Sequence, residues 1–152
     1  MREITKIIWH CAATPEGRDV KTETIRDWHV NDRGWSDIGY HFVIELDGTV
    51  KAGRPLRRAG AHAKGLNKNS IGICYIGGVD INGKPKDTRT AAQKAALYKK
   101  TAELMNRFPE ATVHGPNEFA NKACPSFDAK ADWMAHVLTL PIEREDIEEE
   151  DD

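Results

Sequence analysis

Ser70-Ile71-Gly72-Ile73-Cys74-Tyr75-Ile76-Gly77-Gly78 is a continuous apolar run closed by two glycines. A strand wetted on one face alternates apolar and polar residues. This run does not alternate, so it reads as a central strand covered on both faces. Working outward from it, residues 79–88 form a turn-rich loop. Thr90-Ala91-Ala92-Gln93 then has the spacing of a capping box, in which hydroxyl and amide side chains satisfy backbone donors at a helix start. The helix it opens extends to about Phe108, with Leu97, Thr101, Leu104, Met105 and Phe108 on its inner face, and Pro109 stops it. Residues 111–114 read as a short strand and residues 128–138 as a last helix, with Trp133 and Val137 inward. Upstream, residues 5–11 (Thr5-Lys6-Ile7-Ile8-Trp9-His10-Cys11) are β-branched and aromatic, a second buried strand. Ile25, Trp28 and His29 recur at i, i+3, i+4, a short amphipathic helix over 22–30 that Gly34 ends. Residues 38–46 alternate and lead through Asp47-Gly48 into residues 49–53, a hairpin signal. Residues 54–69, rich in Gly, Arg and Ala, carry little periodicity and read as a long surface loop. Strands alternating with helices around a sheet that contains one hairpin predict a mixed α/β single domain of about five strands and three helices.

The chain has 152 residues and is 39% hydrophobic, enough for one sizeable core. No run approaches the 18 or so apolar residues of a membrane span, so no membrane insertion is expected. The N-terminus lacks the apolar region of a secretory signal, which predicts synthesis in the cytoplasm. Three cysteines, Cys11, Cys74 and Cys124, make an odd count that argues against a disulfide framework. The net charge of −2 hides an asymmetry: residues 143–152 hold eight acids and one arginine, leaving a body near +5. The expected division is a folded domain over 1–140 and an acidic, disordered tail over 141–152. A basic body suits an anionic polymer, either nucleic acid or cell wall. The bases are dispersed and not interleaved with aromatics, which argues against nucleic acid.

His10 ends the first strand, His114 ends another, and Cys124 precedes the last helix. Two imidazoles and a thiolate suit zinc, and three protein ligands leave a fourth position open for a hydrolytic water. Alternation along the strand sends His10 and Cys11 to opposite faces, so both cannot hold one ion. The plainer alternatives are a satisfied histidine at a strand end and a buried thiol; spacing alone leaves both open.

Five ordered motifs decide more: Trp9-His10-Cys11-Ala12-Ala13-Thr14, Gly34-Trp35-Ser36-Asp37-Ile38-Gly39-Tyr40-His41-Phe42, Ala59-Gly60-Ala61-His62-Ala63-Lys64-Gly65, Asn69-Ser70-Ile71-Gly72-Ile73 and Lys122-Ala123-Cys124-Pro125-Ser126-Phe127. Over residues 5–138 the chain resembles the zinc-dependent N-acetylmuramoyl-L-alanine amidases, which share a fold with the peptidoglycan recognition proteins, and most of all the small lysozyme-type endolysins of short-tailed phages. The resemblance implies one Zn2+ held by His10, His114 and Cys124, and catalytic roles for Tyr40 and Lys122. It implies that the loop carrying His62 and Asn67 borders the substrate groove. The implied reaction is hydrolysis of the amide between N-acetylmuramic acid and L-alanine in peptidoglycan, by a monomer that leaves the host cytoplasm through a separate membrane pore. A non-catalytic peptidoglycan-binding module is the alternative, and Cys124 favours the enzyme. The phage group also implies phage RNA polymerase as a second partner; with only nine residues before His10, that role is not favoured.

Overall fold

The computed structural model describes residues 1–141, so the expected tail, apart from Pro141, lies outside the described residues. In chain order the elements are β1 (Lys6–Cys11), β2 (Thr14–Pro15), α1 (Thr22–Asp27), β3 (Phe42–Ile44), β4 (Val50–Ala52), β5 (Ser70–Tyr75), β6 (Gly78–Val79), α2 (Ala91–Arg107), β7 (Thr112–His114) and α3 (Ala129–Thr139). Five of the strands form one mixed sheet in the order β4-β3-β5-β1-β7. β4 runs antiparallel to β3 across the hairpin, and all other pairings are parallel. The apolar run that opened the reading is β5, central and buried at every residue.

The pleat divides the side chains between two cores. Ile7, Trp9, Cys11, Ile71, Ile73 and Tyr75 pack on one face beneath Leu97 and Leu104 of α2 and Ala129 and Trp133 of α3. Each fully buried isoleucine there is worth about 1.5–3 kcal/mol. Trp9 anchors this face, its ring 6.1 Å from both Tyr98 and Trp133, and its indole N–H donates to Thr101 Oγ1 at 3.1 Å. On the other face Val43 packs with Val20, Ile25, Ile38 and Ile76, and with Trp28 and Tyr40. His10 and His114 belong to this second face.

Local chemistry explains the helix positions. Thr90 and Gln93 form the reciprocal cap expected of them. The Gln93 amide also donates to the carbonyls of Ile44 and Ile76, tying α2 to the ends of two strands. α1 has no cap of its own; the buried Glu45 carboxylate accepts from the Thr22 N–H at 2.9 Å and the Thr22 hydroxyl at 2.8 Å. α1 continues into a π-helical turn, Trp28–Asp32, before Gly34 adopts the left-handed conformation (φ +73°) that ends it.

Two features differ from the sequence expectation. The strand expected over 38–46 is reduced to Phe42–Ile44, because the Gly39 N–H donates to His29 Nδ1 instead of joining a ladder. A separate two-stranded sheet pairs β2 with β6. The loop expected over 54–69 is present, and backbone contacts from two arginines order it. Arg2 reaches the carbonyls of Leu56, Asn67, Lys68 and Ser70, and Arg54 those of Ile38 and Ala59.

Candidate active site

In open parallel sheets ligands bind beyond the carboxyl ends of the strands, and His10 and His114 stand at two such ends. Register places Ile8 opposite His114 and His10 opposite Cys74, so His10 lies two residues beyond His114 on the same face. His10 is buried (4% exposed). Burial first, and the Lys122 ammonium second, push its pKa down to about 3, so the ring is neutral with a lone pair to give. Its Nε2 lies 2.8 Å from His62 Nδ1, and its ring centroid is 5.2 Å from that of Tyr40.

Tyr40 is flanked on its other side by His29, at 5.6 Å between centroids. Burial raises the Tyr40 phenol well above its ordinary value, and the Cys74 and Cys124 sulfurs raise it further. It is therefore a neutral hydroxyl at physiological pH, a donor and not a base. Cys124 meets the strand through the residue after His10: the Cys11 N–H donates to Cys124 Sγ at 3.2 Å. Cys11 itself points into the helix-side core. Lys122 lies in the loop before Cys124 and shares a cavity of about 80 Å³ with His62, Ala63, Lys64, Leu66, Pro116, Phe119 and Ala120. Asn67 braces the same loop, its Oδ1 accepting from both the His62 and Ala63 N–H groups at 2.9 Å, and lines a neighbouring hollow with Trp35, His62 and Lys64.

His114 has a partner that sequence reading missed. Glu118, on the turn four residues later, accepts from His114 Nδ1 at 2.8 Å and from the Gly115 N–H at 2.8 Å, while Thr112 Oγ1 lies 2.6 Å from His114 Nε2. Both ring nitrogens are thus engaged. The i, i+4 spacing of His114 and Glu118 was the available signal. Two imidazoles, one held neutral by burial, and a thiol suit zinc by donor type and by their placement at one end of the sheet. They are not gathered into a finished cluster. Among the described residues no group of three or more His, Cys, Asp or Glu side chains stands ready to hold a metal ion.

A mixed sheet with ionisable side chains gathered beyond its parallel strand ends defines an α/β protein with a reactive cleft. Residues 1–127 match the family model of N-acetylmuramoyl-L-alanine amidase, and the chain belongs to that family. It is 46% identical over 138 residues to the endolysin of Escherichia phage T7, covering 90% of this chain and 91% of that one. Among solved structures it resembles the N-acetylmuramoyl-L-alanine amidase LysC from Clostridium intestinale, with a TM-score of 0.75 and 26% identity over 92% of this chain and 88% of that one. Bumblebee PGRP-SA is similar with the same TM-score of 0.75 and 26% identity, over 94% of this chain and 87% of that one.

Proposed function

We propose that the chain is a zinc-dependent phage endolysin that hydrolyses the amide between N-acetylmuramic acid and L-alanine in bacterial peptidoglycan. The observation that carries this reading is that Tyr40 and His62 both pack against His10, and that His62 and Lys122 line one cavity, in a member of the amidase family. His10, His114 and Cys124 are the residues that would hold zinc, which when bound polarises a carbonyl and lowers the pKa of its water toward about 7. To join that set, His114 gives up one of its bonds to Thr112 or Glu118.

The remaining chemistry belongs to the side chains. Lys122 presents an ammonium to the cavity, where it stabilises negative charge developing on the scissile oxygen. One such preorganised donor is worth about 3–4 kcal/mol, or roughly 10²–10³ in rate. Tyr40, held neutral by burial, keeps its proton and donates a hydrogen bond to the oxyanion or to the departing amine. The loop carrying His62 and Asn67 forms the wall that meets the substrate, and the basic body draws the chain to an anionic wall. Among the described residues no helix is long and apolar enough to cross a membrane; access to the wall from the host cytoplasm then depends on a separate pore.

The test is mass spectrometry of sacculi digested with the purified protein, alongside its metal content. The expected products are free peptide stems that begin with L-alanine, with one zinc per chain. Cut glycans with intact amides would overturn the reading, and so would binding to sacculi without release of stems.

A further inference from the structure

His62 lies at the cleft, yet its ring is held as a structural part. Its Nδ1 faces His10 Nε2 at 2.8 Å and its Nε2 faces Ser70 Oγ at 3.2 Å, so both nitrogens are occupied by the protein. The ring lies over two glycines that leave room for it. A Cβ on Gly72 would stand 2.6 Å from His62 Cγ, and one on Gly60 would stand 2.6 Å from His62 Cδ2. Asn67 fixes the turn from which the ring projects, through two backbone bonds at 2.9 Å. Ser70, Gly72, Gly60 and Asn67 together allow this imidazole one position.

The two nitrogens of His10 are unlike. Nε2 is tied to His62, whereas Nδ1 has no hydrogen-bond partner among the described residues. Every fully buried side-chain nitrogen or oxygen among the described residues has a partner, so His10 Nδ1, which has none, keeps some contact with solvent. Between two facing imidazole nitrogens one proton is shared. If it sits on His10 Nε2, then His62 Nε2 carries the proton donated to Ser70 Oγ, and His10 Nδ1 is left as a bare lone pair in the cleft. If it sits on His62 Nδ1, His10 Nδ1 is protonated and closed to any metal. The hydrogen bond made by one ring nitrogen sets what the other can do.

We propose that His62 is a positioning residue, accepting the Nε2 proton of His10 so that His10 Nδ1 faces the cleft as a free metal-binding lone pair. In that tautomer the far nitrogen, His62 Nε2, donates to Ser70 Oγ, whose hydroxyl fixes the ring's position and accepts or donates as the tautomer requires. The inference rests on the zinc reading of the site, but it is separable from it, because the tautomer of His10 exists before any metal or substrate arrives.

Nitrogen-15 NMR of the zinc-free protein reads the tautomer directly. The wild type is expected to show His10 protonated on Nε2 and bare on Nδ1. His62→Leu should mix the two tautomers and weaken zinc binding by about 10–100-fold. His62→Asn, whose amide oxygen falls near the lost Nδ1, should restore both to near the wild-type values. An unchanged His10 tautomer and zinc affinity in His62→Leu would overturn the proposal. So would a His62→Asn protein whose His10 tautomer and zinc affinity stay with those of His62→Leu. A wild type with the expected tautomer that takes up no zinc refutes the zinc reading instead.

Discussion

Moderate acid should weaken this fold through histidines that take no part in the proposed metal set. His41 is fully buried: its Nδ1 accepts from the Gly72 N–H at 3.0 Å and its Nε2 donates to the Arg58 carbonyl at 2.8 Å. Burial lowers its pKa to about 4, and burial likewise lowers that of His29 to about 4. The unfolded chain takes up these protons near pH 6.5, the folded chain only near pH 4, so stability falls as pH falls through that window and levels off below it. Between pH 6.5 and 5 the difference is 1.5 units, or about 2 kcal/mol for each ring at about 1.4 kcal/mol per unit. The two rings share no hydrogen-bond partner, so together they cost about 4 kcal/mol, a large part of the 5–15 kcal/mol typical of a domain. Other buried imidazoles add in the same direction. Urea unfolding followed by tryptophan fluorescence at pH 7, 6 and 5 measures the loss. His41→Asn keeps an acceptor for the Gly72 N–H and removes the titrating ring, so its loss between pH 7 and 5 should be smaller by about 2 kcal/mol. A wild-type midpoint that does not move over this range, or an unchanged loss in His41→Asn, would refute the reasoning.

Three further outcomes are expected. Lys122→Ala should retain zinc, measured by metal analysis, and lose roughly 10²–10³ in the rate of stem release; lysis at the parent rate would remove Lys122 from the chemistry. Cys124→Ala should lose both zinc and stem release, while far-ultraviolet circular dichroism stays native, because Cys124 is only half-buried at the edge of the core. Arg89→Ala should lower unfolding free energy by about 3 kcal/mol in urea titration, the lower end for a broken buried pair since the aspartates are partly exposed. The guanidinium, 1% exposed, bonds Asp87 and Asp132 at 2.9 Å and lies 3.7 Å over the Phe127 ring. A change below about 1 kcal/mol would mean that the network contributes no more than a surface pair.

What could be read from the residues divides along a physical line. β1 and β5 were legible because strands covered on both faces leave unbroken apolar runs, and α2 because a capping box is a local pattern of four residues. The hairpin followed from Asp47-Gly48 for the same reason. The pairing of β2 with β6 was not legible, since two-residue strands carry no period and their partners lie more than sixty positions apart. The order within the 54–69 loop was not legible, because it comes from Arg2 and Arg54 bonding backbone carbonyls, contacts that any sequence can accept. The site shows the same division. Alternation along β1 placed His10 and Cys11 on opposite faces, and their side chains do pack on opposite faces. Yet it was the Cys11 backbone, lying in the plane of the sheet and belonging to neither face, that met Cys124. Likewise the residue chemistry of His62 pointed to the cleft, but its two bonds to His10 and Ser70 depend on Gly60 and Gly72 having no side chain. Residue types nominate a reactive group, whereas its role depends on which of its atoms the fold has already engaged. For His10 that leaves Nδ1, and for Tyr40 a hydroxyl whose proton burial retains.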